Sequence, residues 1–329
     1  MFNPLKYFRN RKVGLVLGSG GAKGLSHIAV IEYLESLRIP IHMVAGSSIG
    51  AVVGALYCAG TLGKFKEDIL KFTLRDLLSF IDPVMPRSGF IEGKGFIKFM
   101  ARYIPRSTNI EDLKTPLAIV ATDYFNGTPF IFRNGNVLEA LRASVSIPGV
   151  LVPVRYQGTL LMDGGVANPL PVNVVKSMGA GMTIAVNLHP QLKKRGLKHC
   201  VESPTAAQTA RVDSRDTTIT GGKQKPEKPN LIADIKWLTT IEQWIRTDLA
   251  SDKKNMPSIF QVITQSVDIM EYVNTALMLQ YNSPTVLIEP NVIDVQTLDF
   301  TNAKRIIDEG FLACARVKNT LIRKVRLWV

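Results

Sequence analysis

MVAGSSIGAVVG, residues 43–54, sets two serines side by side between glycines. Which serine stands at the turn decides how the chain folds here. An apolar strand that passes abruptly into a helix through G-x-S-x-G makes a sharp, strained turn that pushes the central hydroxyl outward. Strand and helix cross so closely that positions two residues either side of the tip have no room for a Cβ atom. Gly46 and Gly50 stand at those offsets from Ser48, whereas Ser47 has Ala45 and Ile49 there. The residue at the tip is therefore Ser48.

Upstream, KVGLVLGSGGAKG predicts a short apolar strand, Val13–Leu17, running into a glycine-rich loop. A helix follows, with Ile28, Ile31, Leu34 and Leu37 on one face, and then a strand over about Ile41–Ala45 that leads into the serine turn. Strand–loop–helix repeated at this spacing begins a parallel α/β sheet. Ile41–Gly63 carries no Lys, Arg, Asp or Glu, yet its glycines and paired serines fit a buried strand–turn–helix better than a membrane span. Residues 64–105 read as amphipathic helices. TPLAIVATDYFNGTPFIFRNG reads as a hairpin turning at Asn126-Gly127, and VPVRYQGTLLMDGG as a second hairpin after a short helix. Pro169 and Pro171 mark the start of another helix and MTIAVNL a buried strand. A helix through IFQVITQSVDIMEYVNTALMLQ, a strand TVLIEP and a long terminal helix close the chain.

The 329 residues carry 40 Lys and Arg against 27 Asp and Glu, a net charge of +13. The excess is spread along the chain, 20 basic to 12 acidic up to residue 190 and 20 to 15 beyond. A surface of this kind attracts polyanions, and with no zinc-finger, basic-zipper or RNA-recognition signature the expected polyanion is anionic lipid rather than nucleic acid. The three scattered cysteines, Cys58, Cys200 and Cys314, imply a reducing compartment, and the charged start MFNPLKYFRNRK lacks the apolar stretch of a secretory signal. The expected location is the cytoplasm, with peripheral contact at the inner face of the membrane. His27, His42, His189 and His199 show no ligand spacing with the cysteines, so no metal is expected.

Three short motifs follow in order: GSGGAKG (18–24), GSSIG (46–50) and DGG (163–165). The first lacks the third glycine of a dinucleotide fingerprint and the GK[ST] ending of a P-loop, so no nucleotide cofactor is expected. Together the three supply the parts of an acyl-transfer centre. Ser48 offers a hydroxyl, and the glycine loop offers backbone N–H groups at a helix N-terminus. For the base, His189 at a strand end is one candidate and Asp163 the other, acting directly on the serine. An ordinary aspartate, with a pKa near about 4, is a weak base at neutral pH, so Asp163 needs burial to serve.

GSGGAKG…GSSIG…DGG, with ALRASVSIPGVLVPV and LMDGGVANPLPV between and after, resembles the patatin-like phospholipase family over about residues 12–190. The start GSGGAKGLSHIAVIEYL is most similar to the bacterial branch related to neuropathy target esterase. The resemblance implies a three-layer α/β/α fold with a mainly parallel central sheet. It implies a serine acyl hydrolase of phospholipids or lysophospholipids with Ser48 as nucleophile and Asp163 as base. Gly20, Gly21 and Ala22 then supply the oxyanion N–H groups, with Lys23, Gly46, Gly50, Gly164 and Gly165 in support. Ser19 stands where many members have glycine. A lipid acyltransferase using the same site, and a membrane-binding protein that has kept the fold without turnover, are the alternatives.

The expected organisation is a basic segment (1–11), a catalytic core (12–190), a polar and flexible insertion (191–256) and a C-terminal part (257–329) that completes the catalytic domain. His27 is expected to pack beside the serine turn, Asn168 to be loop chemistry, and Asp123 has no spacing that gives it a role. The terminal helix carries Arg316, Lys318, Arg323, Lys324 and Arg326, with Leu321, Ile322, Val325 and Val329 on one side. It is expected to cover the core, with attachment to anionic lipid as the sharper alternative. The oligomeric state is left open.

Overall fold

The computed structural model of the chain describes residues 12–78, 91–189 and 259–326. The basic segment 1–11, the insertion 191–256 and Val329 lie outside the described residues. The first strand, β1 (Val13–Leu17), enters the glycine loop, a 3-10 turn over Gly21–Leu25 and helix α1 (Ser26–Ser36). Then come β2 (Met43–Ser47) and α2 (Ile49–Cys58), with Ser48 alone between them. β2 begins two residues later than the sequence suggests, because its pairing with β1 starts at Gly14–Met43. His42 is turned instead to the sheet's rim, where its Nδ1 accepts the Val13 N–H at 3.0 Å.

Helices α3 (Leu62–Ile69), α4 (Leu74–Leu78) and α5 (Lys94–Met100) follow. The Asn126-Gly127 turn joins β3 (Leu117–Asp123) to β4 (Pro129–Phe132) as an antiparallel pair. Helix α6 (Val137–Ser144) leads to the second hairpin, β5 (Val154–Tyr156) and β6 (Thr159–Asp163). Next are α7 (Val172–Ser177), which starts after Pro171, and β7 (Met182–Val186). Past the undescribed stretch come α8 (Ile259–Tyr281), β8 (Val286–Ile288) and α9 (Ala303–Arg326).

The eight strands form one mixed sheet in the order β5-β6-β3-β2-β1-β7-β8, with β4 also on β3. Its centre is parallel and one end antiparallel: β1, β2, β3, β7 and β8 run together, while β4 and β6 oppose β3 and β5 opposes β6. Side chains alternate between the two faces of a strand, so each face carries its own core. Leu15, Leu17, Val44 and Ile119 pack with Ile28, Ile31, Val52 and Ile307 on one side. Val16, Ala45, Val120 and Ala185 pack with Val172 and Val175 of α7, and Leu279 of α8, on the other. The result is helix–sheet–helix layering.

One register places the chemistry. On β3, β2 pairs with Val44–Leu117 to Ser47–Val120, while β4 opposes Ile119 to Thr122. β2 and β4 overlap at Ile119 and Val120, so they occupy opposite edges of β3. β6 pairs with Ala121 to Asp123, overlaps β4 as well, and so shares β2's edge. Ser47 sits opposite Val120 and Asp163 opposite the next residue, Ala121. The end of β2 therefore abuts the end of β6.

The terminal helix covers the core, as expected. α9 lies along α1, with Gly310 so close to Ser26 and Ala29 that a Cβ there would overlap the Ser26 carbonyl oxygen. This second neighbour explains why Ala29 and Val30 of α1 are buried as fully as its sheet-facing residues. Leu321 is buried, Val317 and Val325 pack on the core, and the five basic residues are exposed. Its apolar face is thus occupied by protein. Among the described residues, no helix is long and apolar enough to cross a membrane.

Candidate active site

Ser48 has φ 53° and ψ −125°, a conformation disfavoured for a residue with a side chain. The geometry around it explains the two glycines. A Cβ at Gly46 would overlap the backbone of Gly50 and Ala51, and one at Gly50 would overlap the Leu17 carbonyl. Leu17 and Gly18 are where β1 enters the glycine loop, so the serine turn and that loop are packed against each other. Ser144 of α6 holds the turn from beneath: its hydroxyl accepts the Ser48 N–H at 2.9 Å and donates to the Val120 carbonyl at 2.6 Å.

The Ser48 hydroxyl donates to Asp163 Oδ2 at 2.7 Å, and both residues are buried. The other carboxylate oxygen, Oδ1, accepts the Gly165 N–H at 2.7 Å, so Asp163 caps the short turn Gly164–Val166. The Asp163 carbonyl accepts a 2.7 Å hydrogen bond from the Thr122 hydroxyl of β3. Burial pushes the Asp163 carboxyl up to about 8, with the nearby Glu271 carboxylate adding to the rise; the Ser48 hydroxyl and Gly165 amide oppose it. The burial that the sequence reading required of this aspartate is present.

Gly20 and Gly21 both have positive φ, 145° and 56°, which orients successive amides along the loop. Among the described residues their N–H groups have no acceptor. Ala22 differs from the expectation. Its N–H donates to the Thr297 carbonyl at 2.8 Å, so it is engaged in holding the loop. Buried Lys23 is ion-paired to Asp268 of α8 at 2.9 Å. The Ser19 N–H donates to the Pro169 carbonyl at 2.9 Å, which ties the loop to the segment after DGG.

His189, the other candidate base, is turned elsewhere. Its Nε2 lies 2.8 Å from Glu271 Oε2 and 3.2 Å from the Ser19 carbonyl, and Ser48 is not among its partners. His27 is wholly buried, with Nε2 donating to the Gly18 carbonyl at 2.8 Å, and burial pushes it down to about 4, so it is neutral at pH 7. Asp123 serves the hairpin: Oδ1 accepts the Phe125 and Asn126 amides, and Oδ2 the Thr159 hydroxyl. Asn168 donates to Asn173, loop chemistry as expected.

Two residues that the motifs do not signal, Asp268 and Glu271, reach the site from α8. They and His189 bring ligand-type atoms within 4.8 Å of one another. Lys23 Nζ is ion-paired to Asp268 and His189 Nε2 is held by Glu271, so the three groups are already engaged with protein partners. Asn274 of α8 also donates to the Val166 carbonyl at 2.7 Å. α8 thus borders both the glycine loop and the turn after Asp163.

The patatin-like phospholipase family model matches residues 15–176, which span the glycine loop, the serine turn and DGG. NTE family proteins of Mycobacterium bovis and Mycobacterium tuberculosis, themselves described as uncharacterized, are 40% identical over 178 residues, covering 54% of this chain and 49% of theirs. Mouse patatin-like phospholipase domain-containing protein 6 is 27% identical over 91% of this chain and 20% of its own length. The lysophospholipase NTE1 of Meyerozyma guilliermondii is 36% identical over 54% of this chain and 13% of its own. The chain thus spans about half the length of the mycobacterial relatives and less of the others. VipD from Legionella pneumophila aligns over 94% of this chain and 67% of its own at 13% identity, with a TM-score of 0.43. Residues 15–176, just under half of the 329-residue chain, thus carry the match to the patatin-like phospholipase family.

Proposed function

We propose that the chain is a serine acyl hydrolase that cleaves fatty-acyl esters of phospholipids or lysophospholipids, with Ser48 as nucleophile and Asp163 as its base. The observation that carries this reading is the 2.7 Å hydrogen bond from Ser48 Oγ to Asp163 Oδ2, beside a glycine loop with unengaged amides. As Ser48 Oγ bonds to the ester carbonyl carbon, its proton passes to Asp163 and the carbonyl π pair moves onto oxygen. Gly20 and Gly21 are the donors for that oxyanion, and losing one such donor typically costs about 3 kcal/mol in the transition state. The oxyanion then collapses, the bond to the alkoxy group breaks, and the departing oxygen takes the proton from Asp163. Water attacks the acyl-serine in the same way, its proton going to Asp163 and then to Ser48 as the fatty acid leaves.

Lipid as substrate is supported by the match to the patatin-like phospholipase family and by the relative named a lysophospholipase. A surface observation agrees. Val262, Ile269, Val273 and Leu277 are each close to half exposed on α8, and at helical spacing they form one stripe nearly opposite Glu271. The helix that borders the site thus turns an apolar face outward, suited to a lipid–water interface. In this reading residues 12–190 and 257–329 form one catalytic unit, attached peripherally to the cytoplasmic face of an anionic membrane. The test is fatty-acid release from lysophosphatidylcholine in vesicles. Release by wild type and its loss in Ser48→Ala are expected; a folded wild type that releases nothing contradicts the reading.

A further inference from the structure

Glu271 is an acid in an unusual place. It is 4% exposed, and its Oε1 sits so close over Gly165 that a Cβ there would overlap it. Gly165 is the residue whose amide is bonded to Asp163 Oδ1. Its other oxygen, Oε2, is held by His189 at 2.8 Å, and the His189 backbone N–H is fixed in turn on the Asn187 side chain at 3.0 Å. His189 lies just past β7 and Glu271 on α8, so two distant parts of the chain fix this carboxylate beside the Ser48–Asp163 pair.

We propose that Glu271, clamped by His189, is a positioning residue of the hydrolytic site, setting a second buried negative charge beside the Asp163 carboxylate as Ser48 gives up its proton. The inference rests on the Ser48–Asp163 reading and adds how that aspartate is made a sufficient base. Two carboxylates in a shared buried site resist ionising together, so the first to ionise does so readily and the second only at higher pH. The second carries a stronger pull on a proton. The other charged or titratable groups that border the pair are Asp268 on α8, His189 beyond β7 and Lys23 in the glycine loop. Lys23 faces Asp268, which leaves the Glu271 charge directed to Asp163 on one side and His189 on the other. It also accounts for the glycine after Gly164, since any side chain at 165 would displace the carboxylate.

The test is the pH dependence of kcat/KM for p-nitrophenyl butyrate, a soluble ester, measured on the full chain. Wild type, Glu271→Gln, Glu271→Met and Glu271→Asp are compared, each checked for folding by a thermal melt. Both neutral variants are expected to fold, because removing one of two crowded carboxylates relieves repulsion. Their acid limb is expected to move to lower pH by about one unit or more, with a several-fold lower plateau. Glu271→Asp, which keeps the charge, is expected to return the limb toward the wild-type position. A folded neutral variant whose acid limb stays in place overturns the inference while leaving the hydrolase intact. Loss of folding in both neutral variants also overturns it, because the carboxylate would then be a structural requirement. A wild type with no turnover rejects the hydrolase reading itself, and this inference with it.

Discussion

Ser48 and Asp163 meet because β2 and β6 end against each other along one edge of β3, with Ser47 opposite Val120 and Asp163 opposite Ala121. The sheet itself sets their separation of 2.7 Å, and residues 115 apart in sequence need no flexible loop to find one another. A rigid scaffold of this kind gives substitutions at the site sharply different expected outcomes.

The two serines of GSSIG should part company. Ser47 is buried and its hydroxyl has no partner among the described residues, so Ser47→Ala removes an unsatisfied polar atom at no cost in packing. It is expected to keep activity and to leave stability unchanged or slightly higher in urea unfolding. A loss of activity comparable to that of Ser48→Ala would contradict the assignment of the tip.

Gly50→Ala places a Cβ onto the Leu17 carbonyl, where backbone rather than a movable side chain must yield. Overpacking of this kind typically costs about 1–3 kcal/mol, and the rigid backbone here puts the expected loss at the upper end. A urea midpoint equal to that of wild type would show that the turn has more room than its geometry allows.

Asp163→Asn should change stability in a pH-dependent way. The wild-type carboxyl is raised to about 8 in the folded protein, so the fold holds a proton that the unfolded chain releases near the ordinary carboxylate value. The associated stability is present in full at low pH and is lost as pH rises through about 8. Asparagine lacks this dependence, so the variant should gain several degrees in Tm over wild type at pH 9 relative to the difference at pH 5. A difference independent of pH would contradict the raised carboxyl.

His27 works in the opposite sense. Burial lowers it from 6.5 to about 4, so the folded protein refuses a proton that the unfolded chain accepts. Stability is full above about 6.5 and falls as pH drops toward 4. His27→Gln, which can still donate to Gly18, should lose fewer degrees of Tm between pH 7 and pH 4.5 than wild type. An equal loss would place the acid sensitivity elsewhere.

Ile269→Glu with Val273→Glu tests the outward stripe of α8. Hydrolysis of lysophospholipid in anionic vesicles should fall about tenfold or more, while turnover of p-nitrophenyl butyrate stays near wild type. Equal effects on both substrates would mean that the stripe supports the fold and not the lipid surface.

Much of the core architecture was legible because local rules and the fold agree there. The positions of Gly46 and Gly50 follow from the crossing of strand and helix, and the Asn126-Gly127 pair announces its hairpin. The antiparallel end of the sheet was only implicit in its hairpins, since strand order is a long-range property. Glu271 and Asp268 were out of reach: they are two polar residues on the inner face of a 23-residue helix that meets the glycine loop only through the tertiary fold. The same applies to Ala22, whose N–H is taken by Thr297, a residue of the last tenth of the chain. His189 looked like a base because a histidine at a strand end often is; its ring is held by Glu271.

The central claim is that Ser48 is activated by Asp163 directly. A fluorophosphonate probe applied to wild type, Ser48→Ala, Asp163→Asn and His189→Ala tests it in one experiment. The account predicts rapid labelling of wild type, none of Ser48→Ala, labelling of Asp163→Asn slowed by about a hundredfold or more, and labelling of His189→Ala retained. Labelling abolished in folded His189→Ala but kept in Asp163→Asn would contradict it and make the histidine the base.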